Sequence, residues 1–198
     1  MPTAAILAGG RARRFGGRPK ALLPIGGLRI IDRLLAALRP VVGEVILIAR
    51  EDEPYRSLGL PIRHDVLPGT GPLGGIYTAL VATTAPRTLV VAADMPFLNA
   101  LFLERLLDAG RGVDIAVPRT ADGYQPLCAS YAATCAALIR RRLDEHRLAV
   151  HGVLADARVR EIGPDEMARL DPTGTLCFNV NTPADYARAL ALAAARPE

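Results

Sequence analysis

The chain has 198 residues, 51% of them apolar and only 5% aromatic, with no Trp and a formal charge of +4. That length makes one domain able to bury roughly 70% of the surface its unfolded form exposes, and the abundance of Ala, Leu and Val suits helices packed on a buried parallel sheet. The positive balance comes from arginines interleaved with acids, with no basic stripe carrying stacking aromatics, so a nucleic-acid binder is not indicated.

Thr3 to Ala8 is a short apolar run, read as the first strand. It breaks into Gly9-Gly10-Arg11-Ala12-Arg13-Arg14-Phe15-Gly16-Gly17-Arg18-Pro19-Lys20. Glycines let a backbone take positive φ and approach a ligand closely, and the cations Arg11, Arg13, Arg14, Arg18 and Lys20 make the loop complementary to a polyphosphate. It is not a Walker A loop, because Lys20 stands between Pro19 and Ala21 with no following Ser or Thr. Leu22 to Ile25 reads as a short extended piece closed by Gly26-Gly27. The spacing of Ile30, Ile31, Leu34, Leu35 and Leu38 predicts the first helix, ended by Pro40.

Val45 to Ala49 is continuously apolar and reads as a buried second strand, followed by a polar stretch through Leu58. A third strand over Pro61 to Val66 carries His64-Asp65 at its end. Next, Pro68-Gly69-Thr70-Gly71-Pro72-Leu73-Gly74-Gly75 opens a helix to about Thr83. Gly69, Gly71 and Gly74 match G-x-G-x-x-G, but Pro72 removes a backbone donor where a pyrophosphate would dock, and the match follows the third strand rather than the first. Thr88 to Ala93 is the most strand-like segment and runs into Asp94-Met95-Pro96. Ligands of open parallel sheets bind outside the carboxyl ends of the strands, so Asp94 is expected at the edge that carries the first glycine loop.

A helix over Asn99 to Ala109, a strand over Val113 to Pro118, a turn at Thr120 to Gly123 and a strand over Pro126 to Tyr131 follow. Residues 132 to 147 read as a helix whose Arg140, Arg141, Arg142 and Arg147, set against Asp144 and Glu145, form a solvated face. Short helices at Val150 to Asp156 and Pro164 to Leu170 flank a strand at Val159 to Ile162. Thr182 as N-cap and Pro183 at the first position start a last helix running to Arg196. The alternation predicts a three-layer α/β/α sandwich around a mostly parallel sheet, with residues 1–198 as a single domain.

Cys128, Cys135 and Cys177 form no C-x-x-C pair and suggest neither a zinc site nor a disulfide framework. No signal-peptide pattern and no apolar run of membrane-spanning length is present, so the expectation is a cytoplasmic protein with no membrane partner. The polyphosphate loop and Asp94 together suggest a Mg²⁺-dependent transfer, since Mg²⁺ is commonly held by one or two carboxylates plus substrate phosphates and waters.

Ile6-Leu7-Ala8-Gly9-Gly10, then Arg14-Phe15-Gly16 and Lys20, resembles the L-A-G-G-x-x-x-R-x-G-x-x-K opening of nucleotidyltransferases that activate phosphorylated acceptors. Gly71-Pro72-Leu73-Gly74-Gly75, Ala93-Asp94-Met95-Pro96-Phe97 and Phe178-Asn179-Val180-Asn181-Thr182-Pro183 narrow the resemblance to the molybdenum cofactor guanylyltransferases. Gly10 agrees, because the related cytidylyltransferases tend to carry L-A-A-G. The resemblance spans nearly the whole chain and implies a Rossmann-like nucleotidyltransferase fold. It also implies transfer of GMP from GTP to the phosphate of molybdenum-bound molybdopterin, with Mg²⁺, and contacts with proteins that deliver the pterin or receive the product.

By position, the resemblance implies that Leu7, Ala8 and Gly9 contact the nucleotide, that Arg14 and Lys20 act on the phosphates, that Asp65 contacts the nucleoside and that Asp94 binds the metal beside the α-phosphate. Asn179 and Asn181 would face the acceptor. One departure stands out: where relatives often place a polar residue at the end of the second strand, this chain has Ile48-Ala49-Arg50. Gln125-Pro126-Leu127 is either part of the acceptor pocket or a plain strand start. A relative using CTP or a sugar phosphate, and a non-catalytic dinucleotide-binding module, are the alternatives.

Overall fold

The computed structural model describes residues 1–9 and 15–195. Of the expected loop, Gly10 to Arg14 lie outside the described residues, as does Arg196. Strand β1 (Thr3–Leu7) is central, hydrogen-bonded in parallel to β4 (Glu44–Ile48) on one side and to β6 (Arg87–Ala92) on the other. Beyond β4 lies β5 (Ile62–Arg63), while beyond β6 come β9 (Cys128–Ala132), β7 (Ile115–Thr120) and β10 (Val159–Ile162). In that seven-strand order only β9 runs antiparallel to its neighbours; β8 (Gly123–Tyr124) folds back on β7 as a hairpin.

The alternation of side chains explains why the sheet is covered on both faces. Ala4 and Ile6 of β1, Val45 and Leu47 of β4, and Leu89 and Val91 of β6 point to one layer, where α1 (Ile30–Leu38) and α3 (Ala100–Ala109) pack. Ala5, Ile46, Ile48 and Val90 point to the other, under α2 (Gly71–Val81) and α4 (Cys135–Asp144). Strands buried on both faces need near-continuous apolar sequence, and these runs have it. Asn99 starts α3 by accepting the Phe102 N–H at 2.8 Å. The C-terminal helix α7 (Pro183–Ala194) begins with a reciprocal cap, Thr182 Oγ1 accepting from the Asp185 N–H and the Asp185 carboxylate accepting from the Thr182 N–H.

Several expected boundaries shift. Leu22 belongs to a 3₁₀ turn at Lys20–Leu22, and the extended piece is a small hairpin of β2 (Pro24–Ile25) and β3 (Leu28–Arg29), with Gly26 and Gly27 at positive φ between them. The polar stretch after β4 contains a 3₁₀ helix at Glu53–Leu58, and the third strand pairs over Ile62–Arg63 alone. Helix α4 starts at Cys135 because Ala132 is still paired to Arg87 in the sheet. The next helix, α5 (Gly152–Ala155), is a single turn, whereas α6 (Pro164–Leu170) matches the expected span.

The arginine-rich run is the clearest correction. Arg140 and Arg141 are exposed, but Arg142 is buried at 6% relative exposure and its guanidinium donates to Asp156 at 2.6 Å. A guanidinium leaves water when a carboxylate and a close backbone meet it, and here Asp156 arrives from just past α5.

Candidate active site

From β1 the chain moves out to β4 and β5 and then returns to β6 on the far side of β1, so the sheet's switch point lies at β1. Backbone pairing continues past the strand ends there. The Ala8 N–H donates to the Ile48 carbonyl at 2.8 Å and the Ala93 N–H to the Leu7 carbonyl at 3.1 Å. The Asp94 carbonyl in turn accepts from the Val180 N–H at 2.9 Å. Those bonds fix Leu7-Ala8-Gly9, Asp94 and the Asn179-Val180-Asn181 segment against one another, with Val180 wholly buried beneath them.

Lys20, at the start of its 3₁₀ turn, reaches across this junction. Its Nζ pairs with Asp94 Oδ2 and donates to Asn181 Oδ1 at 2.9 Å. The pair is largely withdrawn from water, with side chains 19% and 14% exposed. Asn181 is held from behind, its N–H donating to Asp185 Oδ2 at 2.9 Å alongside the Thr182 N–H at 2.8 Å. Burial pushes the Asp185 carboxyl upward, but bonds from Thr182 and Asn181 and the charge of Lys20 bring it below its ordinary range. Residues 20, 94, 181 and 185, far apart in sequence, thus form one charge network.

The network sits in a cavity of about 650 Å³, within the size range of nucleotide and cofactor clefts. Leu7, Ala8, Gly9, Lys20, Asp65, Asp94, Asn179 and Asn181, the expected site residues among those described, all line it. Toward β4 and β5 the wall includes Arg50, Tyr55, Asp65, Gly69 and Gly71; toward β9 and β7 it includes Tyr124, Gln125, Leu127 and His151. Gln125 is therefore more than the residue before a strand. Tyr55, Tyr124, Val150 and His151 were not anticipated, and no motif surrounds them that could have marked them.

Asp65 is unlike the other acids. Its Oδ1 is buried with no hydrogen-bond partner among the described residues. Burial pushes its pKa up, offset in part by the charges of Arg50 and His64. Gly75 opposite presents no side chain: a Cβ there would fall 3.4 Å from Leu7 and 3.9 Å from Asp65 Oδ1. The glycine run that matched a dinucleotide fingerprint opens α2 behind β5, and Gly69 and Gly71, at φ of 86° and 66°, supply the turn.

The family model of the MobA-like NTP transferase domain matches residues 4–160. A protein of Pelotomaculum thermopropionicum named as a probable molybdenum cofactor guanylyltransferase is 37% identical, the match covering 96% of this chain and 93% of that one. The chain belongs to the molybdenum cofactor guanylyltransferase family of MobA-like NTP transferases. A second member, the molybdenum cofactor guanylyltransferase of Desulfosudis oleivorans, is 30% identical over 94% of this chain and 93% of its own. Among solved structures, molybdopterin-guanine dinucleotide biosynthesis protein A of Archaeoglobus fulgidus superposes with a TM-score of 0.83 at 26% identity, covering 98% of this chain and all of that one. The fold extends further, to 2-C-methyl-D-erythritol 4-phosphate cytidylyltransferase of Thermus thermophilus, TM-score 0.69 at 22% identity.

For a family of this chemistry the donor set of the charge network matters. Asp94 and Asn181 each direct an oxygen at one point, now taken by the Lys20 ammonium. Hard oxygen donors around a cationic point suit a hard divalent cation. Among the described residues no group of three His, Cys, Asp or Glu could hold a metal by side chains alone, so substrate oxygens would have to complete the shell.

Proposed function

We propose that residues 1–198 form one nucleotidyltransferase domain that transfers GMP from GTP to the phosphate of molybdopterin, releasing pyrophosphate. The observation that carries this reading is the junction of Lys20, Asp94 and Asn181 at the sheet's switch point, in a chain 37% identical to a named guanylyltransferase.

The acceptor phosphate is ionised near neutral pH and needs no base. One of its oxygens forms a bond to the α-phosphorus of GTP as the bond from that phosphorus to the bridging β-phosphate oxygen breaks, and the electron pair leaves with pyrophosphate. The barrier is repulsion between anions, so catalysis is positioning and electrostatics. Lys20 neutralises phosphate charge, and backbone groups of Leu7, Ala8 and Gly9 lie along the nucleotide. Asp65, with its unused oxygen, binds the nucleoside. Asp94, with Asn181 in reach, would hold Mg²⁺, which when bound offsets charge on the α-phosphate and leaving group. Asn179 and Asn181 face the acceptor, and Arg14, outside the described residues, is assigned to the phosphates by its place in the sequence pattern.

The test is pyrophosphate release from GTP, CTP and ATP with molybdopterin, with and without Mg²⁺. GTP-selective release that Asp94→Ala abolishes is expected. Equal turnover by Asp94→Ala would remove its assigned role, and turnover with CTP alone would move the chain to the cytidylyl branch.

A further inference from the structure

Lys20 opens a 3₁₀ turn and belongs to no strand of the main sheet, so its flanks must set where its ammonium goes. Both flanks end on one side chain. Ahead of Lys20, the Phe15 ring meets the Tyr186 ring edge to face, with centroids 6.3 Å apart and planes at 88°. Beyond it, the Pro24 carbonyl accepts from the Tyr186 hydroxyl at 2.6 Å. Between those two points the backbone closes in short turns: the Arg18 N–H donates to the Phe15 carbonyl at 3.2 Å, and the Leu22 and Leu23 N–H groups to the Pro19 and Lys20 carbonyls at 3.0 Å each. A segment tied at both ends and turned tightly between them has little slack, so a shift at either end is carried to Lys20. Tyr186 itself stands in the first turn of α7, directly after Asp185, and its N–H donates to the Thr182 carbonyl at 3.0 Å. Asp185 holds the Asn181 backbone, so one turn of helix fixes both Asn181 and the flanks of the lysine that donates to it.

We propose that Tyr186 is a positioning residue for nucleotidyl transfer: it braces residues 15–24 from both sides so that the Lys20 ammonium stands where the reacting phosphates need it. The inference rests on the transferase reading and adds to it a residue that does not line the cleft. Placing that charge matters because the reaction is driven by electrostatics and position, where a misplacement of about 1 Å costs up to about 10²-fold in rate. Tyr186 acts through Lys20, and this separates it from a side chain that only stabilises the fold.

The experiment measures pyrophosphate release from GTP with molybdopterin for the full chain, Tyr186→Leu, Lys20→Met and the double variant, at a temperature where circular dichroism shows all four folded. Tyr186→Leu removes the ring contact and the hydroxyl together, and kcat should fall about tenfold while the KM for GTP changes less than about threefold. In the Lys20→Met chain the same substitution has no charge left to displace, so kcat should change less than about twofold. Tyr186→Phe keeps the ring and loses one hydrogen bond, and should retain at least about a third of the original kcat. An unchanged kcat in Tyr186→Leu, as a purely structural side chain gives, would overturn the proposal. So would an equal fractional loss with and without Lys20, which places the action of Tyr186 elsewhere. Should Tyr186→Leu fail to fold, Phe15→Leu cuts one flank and is read by the same comparison with Lys20→Met. The transferase reading fails separately, on absent GTP-dependent pyrophosphate release by the unaltered chain.

Discussion

Removing the Lys20 ammonium separates what the charge network does for the fold from what it does for the reaction. Lys20→Met keeps the stem and deletes the charge, leaving the Asp94 carboxylate without its cation and Asn181 Oδ1 without its donor. Breaking a fully buried pair costs about 3–5 kcal/mol and an exposed one at most about 1. With side chains 19% and 14% exposed, this pair falls between, at about 2 kcal/mol. For a chain of this size that lowers Tm by about 4–8 °C. Loss of a preorganised charge at the reacting phosphate should reduce turnover about 10²–10³-fold. Lys20→Met/Asp94→Asn removes both charges, so thermal unfolding should recover to within about 1 kcal/mol of the original while turnover stays lost. Differential scanning calorimetry and pyrophosphate release on the four proteins complete the cycle. If the two single losses of stability simply add in the double variant, the pair does not exist in solution and the site has been misread.

Gly74→Ala places a Cβ 1.8 Å from Thr70 Oγ1 and 3.3 Å from the Leu67 carbonyl, so the Thr70 hydroxyl must swing off Leu67. Chemical denaturation should show a loss of about 1–2 kcal/mol, GTP affinity should fall severalfold, and Thr70→Ala in the same chain should restore most of the stability. Asp65→Asn should raise Tm at pH 7 while weakening GTP binding. A carboxyl whose folded pKa is raised contributes stability below its unfolded value and loses it as pH rises through the folded value, so the gain should vanish below about pH 4. Asp185 has the opposite sign: its depressed carboxyl stabilises the fold above its unfolded value, and that stability goes as pH falls through the folded one. Asp185→Asn should therefore cost about 1 kcal/mol near neutrality, converge on the original chain in acid, and raise the KM for the acceptor by loosening Asn181; urea melts at several pH values test both signs.

The strands that carry the site were legible because each is buried on two faces and so reads as unbroken apolar sequence: β1, β4 and β6 all lie within or beside their expected spans. The edge strand β5 was overextended because an edge needs only Ile62 and Arg63 to pair, and the residues after it turn into the cleft. Lys20 and Asp94 could be found from the glycine loop and the strand end, Asn179 and Asn181 from the family resemblance alone, and all four line one cavity. His151 could not, since it reaches the cavity only through the single turn of α5 and a bond to Tyr124. Arg142 was hidden for a related reason. Three consecutive arginines look equally solvated in sequence, and only Asp156 and the close approach of Gly152 distinguish the middle of the helix face from its rim.

The bond from Lys20 to Asn181 spans 161 positions, and this has a consequence for how the protein is made. A nascent chain emerging from the ribosome can assemble the central strands long before Asn181 leaves the exit tunnel. Until then Lys20 and Asp94 have each other but lack the amide, and the backbone clasp from Val180 to Asp94 is missing. A chain cut short of Asn181 is therefore a scaffold that keeps the Lys20–Asp94 pair and lacks both the amide and the clasp that hold this junction together.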